Sequence, residues 1–319
     1  MTVGSNPCNR SNIRNVDEDA LVEAVHLLRE AGLVALPTET VYGLAANARS
    51  ADAVASIYTA KGRPSFNPLI VHAAHIDIAR EVADFPPLAE KLAKNFWPGP
   101  LTLVLPLRRD ARIAPAVTAG LATIAVRVPA HPVMQAVLGE SRLILAAPSA
   151  NRSGSISPTS ARHVADSLGN TVSLILDGGS CETGLESTIV AVRDNGEWQI
   201  LRPGPIDTAR LEAVTGSEPV AVMADKIEAP GQLASHYAPS KKVRIDAAQT
   251  GPDEFHIGFG DIAGDYNLSD TASLAEAAAR FYAALHLADA SDKKTIAIAP
   301  VPDSGIGRAI NDRLRRAAI

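Results

Sequence analysis

Short apolar runs recur along the first two-thirds of the chain, and helical periods separate many but not all of them. This alternation restricts the chain to an α/β fold. LVALP, PLIVH, LTLVLP, ATIAVRVP, LILAAP, VSLILDGG, STIVAVR and EWQILRPG read as strands. DEDALVEAVHLLREAG, SADAVASIYTAKG, PPLAEKLAKNFW and HPVMQAVLG read as helices. Gly32 is the expected stop of the first helix; Ser50 caps the second, with Gly62 just past its end. Ser157 reads as the N-cap of SPTSARHVADSL, with Pro158 in its first helical position. Some strands follow one another without a helix, so a strictly parallel doubly wound sheet is excluded and one mixed sheet is expected.

The 319 residues are 46% hydrophobic and only 4% aromatic, so the core must come from Ala, Val, Leu and Ile, and wholesale disorder is excluded. Residues 1–15 are polar and read as a flexible lead-in with no signal-peptide pattern, and residues 16–214 as one large α/β unit. Residues 215–240 carry several prolines and little periodicity, as a linker does. Residues 241–319 restart the strand–helix pattern as a small second α/β unit. The net charge of −5 gives no overall pull toward nucleic acid or acidic membranes. No apolar run reaches the ~20 residues of a bilayer span. Cys8 and Cys181 read as reduced thiols of a cytoplasmic protein, because two cysteines build neither a disulfide framework nor a zinc site.

No P-loop, HExxH or GxSxG is present, and GFGDIAG lacks the spacing and the following helix of a dinucleotide fingerprint. His72 and His75 read as a strand-end and a surface histidine rather than metal ligands, and no metal site is expected. Four runs point to chemistry: PTETVYGLAANA (37–48), KGRPSFNPLIVH (61–72), TIAVRVP (123–129) and APSANRSGSISPTSARH (147–163). A Ser/Gly/Asn-rich loop before a helix is suited to anions. Lys61 and Arg63, read as lying in a turn, supply charge for a polyphosphate. Arg127, on an apolar strand, needs an anionic partner such as a substrate carboxylate. No nucleophile or catalytic dyad stands out, which fits phosphoryl chemistry driven by positioning and charge neutralisation.

At these residues the chain resembles the YrdC-like family of threonylcarbamoyl-AMP synthases. The Lys61/Arg63 and Ser149/Asn151 pairs, with PTETVYGL, NPLIVH, FWPGPLT, AVRVP, PSAN, ESTIV and LRPGPI, stand in the family's order over residues 20–205. APGQLASHYAP (229–239) resembles the linker of the long, two-domain form, which lies over the active site. The resemblance implies a YrdC-like twisted mixed sheet plus a small Rossmann-like C-terminal domain. It implies a nucleotidyltransferase that uses L-threonine, bicarbonate and ATP with magnesium, and hands its product to a separate tRNA threonylcarbamoyl transferase. Direct tRNA binding is not required, and no membrane partner is implied. Carried over by residue, Thr40, His72, Arg127, Ala147 and Ser187 surround threonine. Lys61, Arg63, Asn67, Thr123, Ser149, Asn151, Ser157 and Arg202 surround ATP, with Lys61 and Arg63 the catalytic pair; His236 and Tyr237 close over the nucleotide. The linker's middle, QLAS, lacks the basic residues family members often carry there. The main rival is a non-catalytic module holding double-stranded RNA or tRNA in a groove lined by Lys61, Arg63 and Arg127. A carbamoyl-adenylate domain of a hydrogenase maturation protein would instead sit beside acylphosphatase and zinc-finger segments, which this sequence does not show.

Overall fold

The computed structural model describes residues 12–221, 228–231 and 236–318. One mixed sheet contains β1 (Ile13–Asn15), β2 (Val34–Leu36), β3 (Gly43–Asn47), β4 (Ile70–His72), β5 (Leu101–Pro106), β6 (Thr123–Arg127), β7 (Leu145–Ala146), β8 (Leu174–Asp177), β9 (Thr188–Val192) and β10 (Trp198–Arg202). The strand order is β1-β8-β2-β3-β7-β4-β6-β5-β9-β10. Neighbours β4 and β6 run parallel while β5 and β6 run antiparallel, so the sheet is mixed as expected. The helices of this part are α1 (Glu18–Arg29), α2 (Ala51–Lys61), α3 (Ile76–Ala79), α4 (Pro87–Phe96), α5 (Pro115–Thr118), α6 (Pro132–Ser141), α7 (Ala161–Leu168) and α8 (Thr208–Thr215). A second, all-parallel sheet follows: β11 (Lys242–Arg244), β12 (Glu254–Gly258), β13 (Tyr266–Asn267) and β14 (Thr295–Ile298), in the order β11-β14-β12-β13. It packs with α9 (Leu274–Ala290) and α10 (Gly307–Ala317). No described helix is long and apolar enough to cross a membrane.

Alternation along the strands sorts the core into two faces. Val71, Leu103, Leu105, Val126 and Val190 point to the face covered by α2, α4 and α7. The opposite face is covered by α1 and α6 only over β8, β2, β3 and β7, through Val34, Leu36, Ala45, Leu145, Leu174 and Leu176. Further along that face, Ile70, Val104, Ala125, Ile189, Ala191 and Leu201 meet Ala229 and no helical residue. The gap left there is where the candidate site lies. A β-bulge in β10 adjusts the same face: Ile200 pairs with Val190, but Arg202 pairs with Ile189. Cross-strand partners share a face, so the extra residue turns Arg202 to the open side, away from Ile200.

Several local expectations change. Residues 1–11 lie outside the described residues, but the flexible lead-in does not extend to residue 15. Ile13–Asn15 pairs in parallel with β8, and the Asn12 carboxamide donates to the carbonyls of Gly169 and Val172 at 3.1 and 2.9 Å. The first helix ends with Ala31 in the left-handed region (φ 62°), and Gly32 donates its N–H back to Leu27 O at 2.8 Å. That is a Schellman closure with alanine at its strained position. Ser50 and Gly62 cap α2 as expected. Ser160, not Ser157, caps α7, accepting from His163 N at 3.3 Å. Both serines fit an N-cap pattern; Ser157 is instead drawn into the interior by a buried carboxylate.

Candidate active site

Period-two alternation carries Ile70 and His72 of β4 to the open face, with Thr123, Ala125 and Arg127 of β6. The parallel register places His72 beside Arg127. Their third neighbour comes from the β2–β3 connection. There Thr38 Oγ1 accepts from the N–H groups of Thr40 and Val41 at 3.1 and 3.2 Å. The resulting tight turn aims Thr40 Oγ1 at Arg127 Nη1, 2.9 Å away. Arg127 Nε donates to Gly99 O at 3.2 Å, and Nη2 forms a 2.6 Å ion pair with Glu39. The anionic partner expected for Arg127 is therefore supplied first by the protein, with guanidinium N–H groups left over for a second carboxylate. Burial works to raise the Glu39 pKa, but Arg127 outweighs it and holds the carboxyl below its usual range. Burial, reinforced by Arg127, pushes His72 down to about 3, so its ring is neutral.

The other half of the site is cationic. Lys61 is the last residue of α2 and, like Arg63, is buried rather than displayed on an exposed turn. Lys61 Nζ donates to Ser149 O at 2.5 Å and to Asn151 O. The Nζ thus holds the loop after β7 in place. Arg63 donates to Asn67 O at 3.2 Å and Pro68 O at 2.8 Å, and the Asn67 carboxamide is buried with no hydrogen-bond partner among the described residues. Arg202 donates to Ser187 O at 3.1 and 3.0 Å and to Ser187 Oγ at 3.1 Å; that hydroxyl also meets Thr102 Oγ1 at 2.7 Å. Burial, and then repulsion from Arg63, holds Lys61 well below its ordinary pKa. Burial is the main cause bringing Arg63 down to about 10. Among the described residues, no carboxylate lies within ion-pair distance of Lys61, Arg63 or Arg202. Three buried cations in one region without an ion-pair partner call for an anionic ligand.

The cavity is lined by Thr40, His72, Arg127, Ala147, Ser149, Ser187, Arg63, Arg202, His236 and Tyr237, all named from the sequence. Lys61 and Asn151 sit behind Ser149, and Asn67 behind Arg63. Ser157 bonds Glu186 Oε1 at 2.5 Å. Thr123 lies at the far end of the β6 face and is not brought to the cavity wall. Pro230, Gly231, His236 and Tyr237, the strap residues, also line the cavity; Gln232–Ser235, the QLAS stretch, lies outside the described residues. Gly231 has φ +84°, and a Cβ there would sit 2.7 Å from Tyr237 Oη and 2.9 Å from Arg202 Cδ, so only glycine passes this close. With the strap in place the cavity measures only about 50 Å³, room for about two waters.

Sequence reasoning passed over Glu39 and Glu186, although both stand inside motifs it singled out. It also missed Thr38 and Thr102, and Tyr282 and Arg313, which reach Glu186 from α9 and α10. Carboxylates were not sought in an anion site, and contacts spanning 96 and 127 residues leave no local signal.

A mixed α/β sheet carrying a small, partly open cavity with buried cations in its wall has the architecture of a small-molecule enzyme. The family profile described as telomere recombination, covering Sua5, YciO and YrdC proteins, matches residues 26–204, and the threonylcarbamoyl-AMP synthase C-terminal domain matches residues 206–319. A threonylcarbamoyl-AMP synthase of Bacillus subtilis is 42% identical over 330 residues, covering 95% of this chain and 94% of the relative. The crystal structure of Pyrococcus abyssi Sua5 complexed with L-threonine superposes with a TM-score of 0.89 at 38% identity, over 96% of this chain and 97% of the other. A P. abyssi Sua5 variant with a histidine and a tyrosine replaced by alanine matches with a TM-score of 0.87 at 36% identity, over 96% of each chain. The chain belongs to the threonylcarbamoyl-AMP synthase family, in its two-domain form.

Proposed function

We propose that the protein condenses L-threonine, bicarbonate and ATP to threonylcarbamoyl-AMP and pyrophosphate, acting as a nucleotidyltransferase in the cytoplasm. The observation that carries this reading is the cluster of Lys61, Arg63 and Arg202, buried and without an ion-pair carboxylate among the described residues, beside Thr40, His72 and Arg127 at the same cavity. The pocket takes threonine: the open N–H groups of Arg127 face its α-carboxylate, and Ser187 and Ala147 close its wall. The cationic half takes the triphosphate, with the unpartnered Asn67 amide and the Ser149–Ser157 loop beside it. Bicarbonate and the threonine amine lose water to form a carbamate. A carbamate oxygen then forms a bond to the α-phosphorus as the bond to the bridging oxygen breaks, and pyrophosphate leaves. The protein contributes placement and charge neutralisation, with no nucleophile of its own. Among the described residues beside the cavity, magnesium would find no uncommitted carboxylate: Glu39 is held by Arg127, and Glu186 by Ser157, Tyr282 and Arg313. It enters on the triphosphate of ATP, which is how this ion is often bound.

Lys61, Arg63 and Arg127 are 3%, 9% and 4% exposed, so they are too deep to line a groove for duplex RNA, which disfavours the binding-module reading. The product is expected to pass to a separate tRNA-modifying transferase, with direct tRNA contact not required. Pyrophosphate release by the purified protein tests the whole scheme. It is expected only when ATP, threonine and bicarbonate are all present; release without threonine, or none at all, overturns it.

The division of the pocket has its own test. Arg127→Lys keeps the charge but loses the planar fork that Glu39, Thr40 and a substrate carboxylate share. Threonine binding is expected to weaken by about 1.5–3 kcal/mol, the value of a charge-assisted hydrogen bond, while ATP binding holds. Separate titrations of the two substrates measure this. A fall in ATP affinity alone would move Arg127 to the phosphate half.

A further inference from the structure

Glu186 is a carboxylate lining a cavity whose other charged wall residues are Arg63, Arg127 and Arg202. Its Oε1 accepts from Ser157 Oγ at 2.5 Å and Tyr282 Oη at 3.0 Å; its Oε2 accepts from Tyr282 Oη at 2.9 Å and Arg313 Nε at 3.2 Å. Arg313 is fully buried, donates through Nη1 to Pro203 O at 2.6 Å and Asp312 at 3.0 Å, and stands 5.4 Å over the Tyr237 ring. Tyr282 and Arg313 belong to α9 and α10 of the second sheet's unit, whereas Glu186 adjoins Ser187, the residue that orients Arg202. The units meet tightly here: a Cβ on Gly184 would lie 2.5 Å from Ala278 O of α9.

We propose that Tyr282 and Arg313 are positioning residues that hold the Glu186 carboxylate on the C-terminal unit, so that it neither pairs with Arg202 nor repels a polyphosphate. The proposal rests on the assignment of Lys61, Arg63 and Arg202 to ATP. An uncompensated carboxylate in a low-dielectric site must find a cation. With Arg313 gone, the remaining cation acting on Glu186 is Arg202, which already helps hold that carboxyl ionised against the opposing effect of burial. A cation captured internally is lost to the triphosphate. The C-terminal unit would thus serve the nucleotide half of the site without contributing a group that touches substrate.

Steady-state kinetics on the full-length chain, with ATP and threonine varied separately, test this in wild type, Tyr282→Phe, Arg313→Met and the double variant Glu186→Gln/Arg313→Met. Arg313→Met is expected to raise KM for ATP by about ten-fold or more with KM for threonine nearly unchanged. The added Glu186→Gln is expected to recover most of that loss, because it removes the charge that would capture Arg202. A purely structural Arg313 predicts that both KM values move and that the second substitution rescues nothing, which would overturn the proposal. Tyr282→Phe keeps the ring in the core and removes only the hydroxyl, so it decides the matter if Arg313→Met fails to fold. A selective rise of about three-fold in KM for ATP supports the proposal, and no change refutes it. A wild type that shows no ATP-dependent pyrophosphate release refutes the functional assignment instead.

Discussion

Lys61→Met is expected to reduce pyrophosphate release by about 10²–10³-fold, the range seen when one preorganised charge-stabilising donor is removed from an active site. The methionine side chain fills much of the same buried volume. It also removes a cation that burial and Arg63 already disfavour, but it leaves the Ser149 and Asn151 carbonyls without that donor, so some fall in thermal midpoint is expected as well. What disappears is the bond from Nζ to the carbonyls of Ser149 and Asn151, and with it the charge proposed to stand behind the triphosphate. Turnover and thermal melts on the same preparation separate the two effects. Normal turnover would show that the buried lysine serves the fold alone.

Ending the chain at residue 224 is expected to remove at least about 99% of turnover, a loss comparable to that of an essential donor, although every motif of the first unit remains. Such a chain lacks the strap residues Pro230, Gly231, His236 and Tyr237. It uncovers Val41, Ile156 and Leu185, which are buried in the core shared with α9 and α10. It also strips Glu186 of Tyr282 and Arg313. The truncated protein is therefore expected to be less stable as well as inactive. Comparing its pyrophosphate release and urea midpoint with the full chain checks both. Full turnover would make the strap and the second unit passengers.

Local chemistry was legible in the sequence wherever one segment held the whole signal. The apolar strands and the Ser50 and Gly62 caps follow from spacing alone, whereas His72 and Arg127 were brought together by the family resemblance and are set side by side by the β4–β6 register. Contacts made across the fold were not. Glu39 reaches Arg127 from 88 residues away, and Arg313 reaches Glu186 from 127, so a reading along the chain sees a cation wanting an anion without seeing which. Ser157 and Ser160 carry the same capping chemistry, and only the buried Glu186 decides between them. Ile13–Asn15 lacks a strand's usual length and becomes one through pairing with β8. Lys61 and Arg63 look exposed because charged side chains usually are; their burial follows from the loop that closes over them.

The bulge in β10 bears on how relatives of this chain should be aligned. Ile200 and Arg202 are two residues apart, so a regular strand would send both side chains to the helix-covered face; the added residue sends Arg202 to the cavity instead. A relative one residue shorter at this point, with the two residues adjacent and the strand regular, would present its arginine on the same side. A gap at position 201 is thus neutral for the cavity, while an unbulged strand of the same length would take Arg202 out of its wall with every motif letter intact.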